Sequence, residues 1–215
     1  MNIGVICEGH TDRVVIENIL KGLKGIDSAQ IIPIRPQSDF DETDLADMPK
    51  DSFGGWSAVK QECESRVKID EFLLFEGNDF VVIQIDSVES NEYGVPQPIK
   101  DENFCTKLRS DIIDKIDEWL NGLSKSDVLY AVAIGETEAW ILAQHDNKDS
   151  SKSADPKDKL KSVLSKKSIK YSHAPRDFKG ISSGFAKKKN YTKFNYFARN
   201  QSLKDFCDEI NLKVP

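Results

Sequence analysis

At 215 residues the chain is long enough for one domain, or for one domain with an appendage. Hydrophobic residues make up 39% and charged residues 31%, an ordinary globular balance that excludes a fibrous or wholly disordered chain. The net charge of −6 hides an asymmetry: residues 1–151 carry 14 Lys+Arg against 30 Asp+Glu, whereas residues 152–199 carry 14 against 3. No run approaches the roughly 18 apolar residues of a membrane span. The opening MNIGVICEGH lacks the basic-then-apolar order of a secretory signal, which points to the cytoplasm.

Residues 2–7 are apolar and β-rich, as in a buried strand, and residues 11–23 place Val14, Val15, Ile19, Leu20 and Leu23 on one helical face. A second short strand at 31–34 stops at Pro36, and the acidic stretch 38–55 reads as a loop. Residues 56–75 suit a helix. FVVIQI at 80–85 is a continuous apolar run of the kind found in central parallel strands. A Pro-containing loop covers 91–100, and Leu108, Ile112, Ile116, Trp119 and Leu123 mark an amphipathic helix. Residues 128–134 form a fourth strand, and a further helix starts at Thr137. This β-α alternation predicts a mostly parallel four-stranded sheet flanked by helices over residues 1–150. Residues 151–215 read as a basic extension packed on that body, with a short helix near Leu160 and a closing helix at 203–210.

In open parallel sheets, sites form where the strands end. Cys7-Glu8-Gly9-His10-Thr11-Asp12 follows the first strand, Asp86-Ser87-Val88-Glu89 the third, and Gly135-Glu136-Thr137-Glu138 the fourth. Gly9 allows a sharp turn and Thr11 is placed to cap the helix that Asp12 enters. Asp12 alone suits a dipole-favoured acid, whereas Glu8 and Asp86 end buried strands with no adjacent Lys or Arg. Carboxylates converging without local cations repel each other unless a hard cation such as Mg²⁺ joins them; a hydrogen-bonded structural cluster is the alternative. Cys7, Cys63, Cys105 and Cys207 form no CxxC pair and have no His at ligand spacing, so they read as reduced, packed thiols. Lys187, Lys188 and Lys189, followed by Tyr191, Phe194, Tyr196 and Phe197, interleave cations with aromatics as single-strand binders do; an ordinary packed segment is the other reading. The whole basic stretch reads either as a polyanion contact or as a solvated, mobile loop.

EGHTD after the first strand, the pair Gly54-Gly55 and the Asp that ends IQID together resemble the Toprim fold of topoisomerases, bacterial primases and OLD-type nucleases. The segment ETEAWILA at 136–143 is similar to one in small bacterial Toprim-like proteins linked with mobile elements and antiviral defence. The resemblance implies a Rossmann-like sheet and a Mg²⁺-dependent (or Mn²⁺-dependent) nuclease acting on DNA or RNA. Glu8 and Asp86 would be its catalytic acids, with Glu8, Asp12, Asp86, Glu89 and Glu138 as metal ligands. It also implies nucleic acid, and a protein of a defence complex, as partners. One departure stands out: the family's second Asp is Val88 here, with Glu89 or Glu92 the nearest substitutes. That departure favours an alternative, a degraded Toprim-like binding subunit.

Overall fold

The computed structural model describes residues 1–36, 55–123 and 125–215. The expected loop at 38–55, Gly54 included, lies outside the described residues except for Gly55. Four strands form one sheet: β1 Asn2–Ile6, β2 Ile31–Arg35, β3 Asn78–Asp86 and β4 Val128–Ala133. All three pairings are parallel, in the order β2-β1-β3-β4. The apolar runs are continuous because both faces of the sheet are covered. Side chains still alternate along them: Val82 faces one core while Val81 and Ile83 face the other.

Helix α1 (His10–Lys24) connects β1 to β2. Helices α2 (Trp56–Ser65) and α3 (Val67–Leu73) precede β3, and α4 (Phe104–Leu120) connects β3 to β4. The step from β1 to β2 runs opposite to the later steps, so right-handed crossovers place α1 on one face and α2–α4 on the other. The predicted helix at 56–75 is broken in two by Arg66, whose φ of 57° cannot continue a helix. Arg66 is held there by its guanidinium, which donates to the carbonyls of Leu120 and Asn121 at 3.2 Å each.

After β4 the chain is helical, with α5 (Thr137–His145), α6 (Pro156–Lys166), α7 (Pro175–Ile181), α8 (Lys188–Lys193) and α9 (Gln201–Lys213). The basic stretch is therefore packed helix and not loop. Leu160, Leu164, Phe178, Phe185, Tyr191 and Tyr196 bury themselves in the same core as Ile3 and Val15, while the lysines between them stay exposed. Trp140 is fully buried, stacked on Phe206 at 5.6 Å, with its indole N–H on Ser202 Oγ at 2.8 Å. Gly22 fixes how this segment sits on α1: a Cβ there would lie 1.8 Å from the Phe185 carbonyl oxygen, so only glycine permits the approach. All four cysteines are free and buried. Among the described residues no helix is long and apolar enough to cross a membrane.

Candidate functional site

The order β2-β1-β3-β4 makes β1 and β3 neighbours at the point where the winding of the sheet reverses, the crevice where open α/β sheets bind ligands. Glu8 follows β1 and Asp86 ends β3, and the two meet. The Asp86 amide donates to Glu8 Oε1 at 2.7 Å. Gln84, one pleat earlier on β3, is fully buried and ties the pair together. Its Oε1 accepts from the Glu8 amide at 3.0 Å. Its Nε2 donates to Asp86 Oδ1 at 2.9 Å and to Thr137 Oγ1 at 3.3 Å. The Thr137 hydroxyl reaches both Asp86 Oδ1, at 3.2 Å, and the Asp12 carboxylate. One hydroxyl proton cannot serve two carboxylates, so the cluster holds more acceptors than donors.

Asp12 arrives from the first turn of α1. The expected Thr11 cap is not formed: the helix begins at His10, with Gly9 at the N-cap. Asp12, three residues on, accepts from the Gly9 amide and from its own, which is half of a capping box. Gly9 is extended (φ −147°, ψ 171°), a shape open to any residue. Its contribution is room, since a Cβ would stand 3.2 Å from Asp12 Oδ2. Glu138 enters from the first turn of α5 and is buried.

These carboxyls disturb one another strongly. Burial pushes Glu8 up to about 8, against the pull of the Asp86 amide and with the charges of Asp12 and Glu89 adding to the rise. Asp12 is pushed up to about 6 by burial, opposed by its bond from Thr137 and by the Lys157 charge. Glu138 rises to about 7 for the same first reason. Asp86 is driven well above the usual carboxylate range by burial, then by Asp12, Glu8, Glu138 and Glu136. The nearby cation is Lys157 at the start of α6, and it is ion-paired with Glu136.

The remaining predicted residues fare differently. Glu89 is exposed and reaches the cluster only through its field on Glu8. Val88 is 52% exposed. Glu92, also exposed, accepts from Trp56 Nε1 at 3.3 Å. Ser87 Oγ is spent accepting the Gly135 amide at 2.8 Å. Lys187, Lys188 and Lys189 are exposed and lie away from the acidic cluster. Asn18 on α1 donates to Lys179 O at 3.1 Å and Ser182 Oγ at 2.8 Å, and Gly22 meets Phe185, so the chain after α7 follows α1 away from Asp12. Ten helical residues from Asp12 to Gly22 cover about 15 Å. Tyr191 and Tyr196 are buried against Phe185, with ring centroids at 6.0 and 5.6 Å, so they are core and not a base-stacking platform.

Two participants escaped the sequence reading, Gln84 and Lys157, while Thr137 stood in the polar cluster after the fourth strand without a role of its own. Gln84 carried a signal, a lone amide inside FVVIQI, where a buried polar group must find partners. Oxygen-only donors suit Mg²⁺ and Mn²⁺. Among the described residues no group of three His, Cys, Asp or Glu side chains is set to hold a metal ion. Mg²⁺ is commonly held by one or two carboxylates with the balance water. Glu8 and Asp86 fit that arrangement, because their internal bonds use Oε1 and Oδ1 and leave Oε2 and Oδ2 as ligand atoms. Comparison with protein-family models, curated proteins and solved structures finds no match for this chain.

Proposed function

We propose that this chain is a Toprim-like, divalent-cation-dependent phosphodiester hydrolase acting on DNA or RNA in the cytoplasm. The observation that carries the reading is the convergence of Glu8, Asp12, Asp86 and Glu138 at the β1–β3 crevice, with burial and mutual repulsion pushing each toward its protonated form. A structural cluster gains little from four repelling acids, whereas a bound cation would offset their repulsion. Glu8 and Asp86 would hold Mg²⁺ or Mn²⁺, and the ion would supply the charge that activates water and stabilises a leaving oxygen. Gln84 and Thr137 hold Asp86 in register with Glu8. Asp12 and Glu138 deepen the negative field, which Lys157, paired with Glu136, partly offsets.

Val88 favours a second reading. Its 52% exposure at the position where the resemblance implies a second Asp leaves no carboxylate there, and Glu89 does not turn inward. On that reading the chain binds nucleic acid as a subunit of a defence complex. Cleavage of plasmid and single-stranded substrates with Mg²⁺ and Mn²⁺ separates the two. The hydrolase reading expects slow, cation-dependent nicking that is lost in Glu8→Gln. Equal activity in the variant, or salt-sensitive binding without cleavage, removes it.

A further inference from the structure

Beside the acids, on the far side of β3, lies a cleft of about 150 Å³ bordered by the chain just after Asp86, the chain just before Glu136 and the chain just before Lys157. At ~30 Å³ per water it has room for about five waters, the bulk of one nucleobase. Its wall is apolar, built from Val88, Phe104 and Pro156. Two exposed cations, Lys100 and Lys152, stand on its lining, and the one acid there is Asp155. The Lys100 ammonium sits 5.9 Å from the centre of the Phe104 ring, and Lys152 Nζ is steadied by the Asp101 carbonyl. Val88, which carries no ligand oxygen for the acidic site, is instead a half-exposed apolar patch on this wall.

From this arrangement we infer that the cleft is a nucleotide subsite, taking the base next to the scissile phosphate against Val88, Phe104 and Pro156 while Lys100 and Lys152 receive its phosphate. The inference rests on the hydrolase reading for its place in a reaction, but not for the binding itself. A polyanion approaching four carboxylates needs cations nearby, and Lys187–Lys189 are on another part of the molecule. Lys100 and Lys152 line the cleft that adjoins the acids, and an apolar wall beside them suits a base better than it suits a bare phosphate. Commitment of Val88 to the base also gives a reason for an apolar side chain at that position.

The test is titration of a deoxynucleoside 5′-monophosphate, with inorganic phosphate in parallel, followed by amide NMR shifts of the full chain without added cation. The mononucleotide is expected to shift Ser87, Val88 and Ser153. Affinity should fall at least about tenfold in Lys100→Ala/Lys152→Ala, as loss of charge-assisted contacts requires, and Ala154→Trp should block the cleft. Both variants alter exposed positions, so unchanged thermal melting confirms their folding. Equal binding of inorganic phosphate and mononucleotide, or shifts confined to Lys187–Lys189, overturns the subsite. Mononucleotide binding in a chain that cleaves nothing upholds the subsite and removes the hydrolase. Glu8-dependent cleavage unchanged in the double lysine variant, with no mononucleotide binding, removes the subsite and leaves the hydrolase standing.

Discussion

Replacing Glu8 by Gln should make the cation-free protein more stable at pH 8 while removing its function. Glu8 titrates at about 8 in the folded chain against an ordinary 4.5, so between those values the folded state holds a proton that the unfolded state has released. Stability then falls as pH rises through that window, and the cost is complete only above about 8. At ~1.4 kcal/mol per pH unit the interval sets a ceiling of about 5 kcal/mol. Asp12 and Asp86 load the same cluster, so the share of Glu8 alone is a fraction of that ceiling, on the order of a few kcal/mol. The carboxamide oxygen of the substituted side chain can still accept the Asp86 amide, so the variant loses the charge and keeps the bond. For a chain of this size the gain corresponds to a Tm rise of roughly 5–10 °C at pH 8, shrinking to nearly nothing at pH 4.5, where the folded wild type is already protonated. Thermal unfolding followed by circular dichroism in EDTA, at both pH values, measures it. A variant no more stable than wild type at pH 8 would refute the claim that the charge of Glu8 is destabilising in the cation-free cluster.

Gln84→Leu strips the Glu8 amide of its acceptor and Asp86 Oδ1 of a donor. Urea unfolding at pH 7 should show a loss of about 2–4 kcal/mol, since each buried group left unpaired costs ~1–3 kcal/mol. Val88→Asp restores the second Asp implied by the resemblance at a half-exposed position. Its stability should stay within about 0.5 kcal/mol of wild type, and cation affinity measured by titration should rise. An unchanged or lower affinity would mean that this position faces the adjoining cleft and not the cation.

Much of this was legible in the chain. The four apolar runs became the four strands, and the acids that end β1 and β3 met because an α/β alternation leaves those strands adjacent. Gly9 and Thr11 announced the turn after β1, although glycine serves there to make room for Asp12 and the cap belongs to Gly9. What failed depended on distance in three dimensions. Where Lys187–Lys189 lie relative to the acids was not legible, because only the path of the chain along α1, fixed by Gly22 against Phe185, sets it. The tyrosines among those lysines looked like stacking groups because spacing alone cannot tell a core ring from an exposed one. Gln84 and Lys157 lie 76 and 149 residues from Glu8, beyond any local pattern.

The most direct test is isothermal titration of Mn²⁺ or Mg²⁺ at pH 7 in two buffers of different ionisation enthalpy. Glu8, at about 8, and Asp86, driven well above the usual carboxylate range, hold protons at that pH, so a cation that takes them as ligands must displace at least one proton. Binding with that release, weakened at least about tenfold in both Glu8→Gln and Asp86→Asn, is the result predicted. No binding, or binding untouched by either substitution, would contradict a cation site at the β1–β3 crevice.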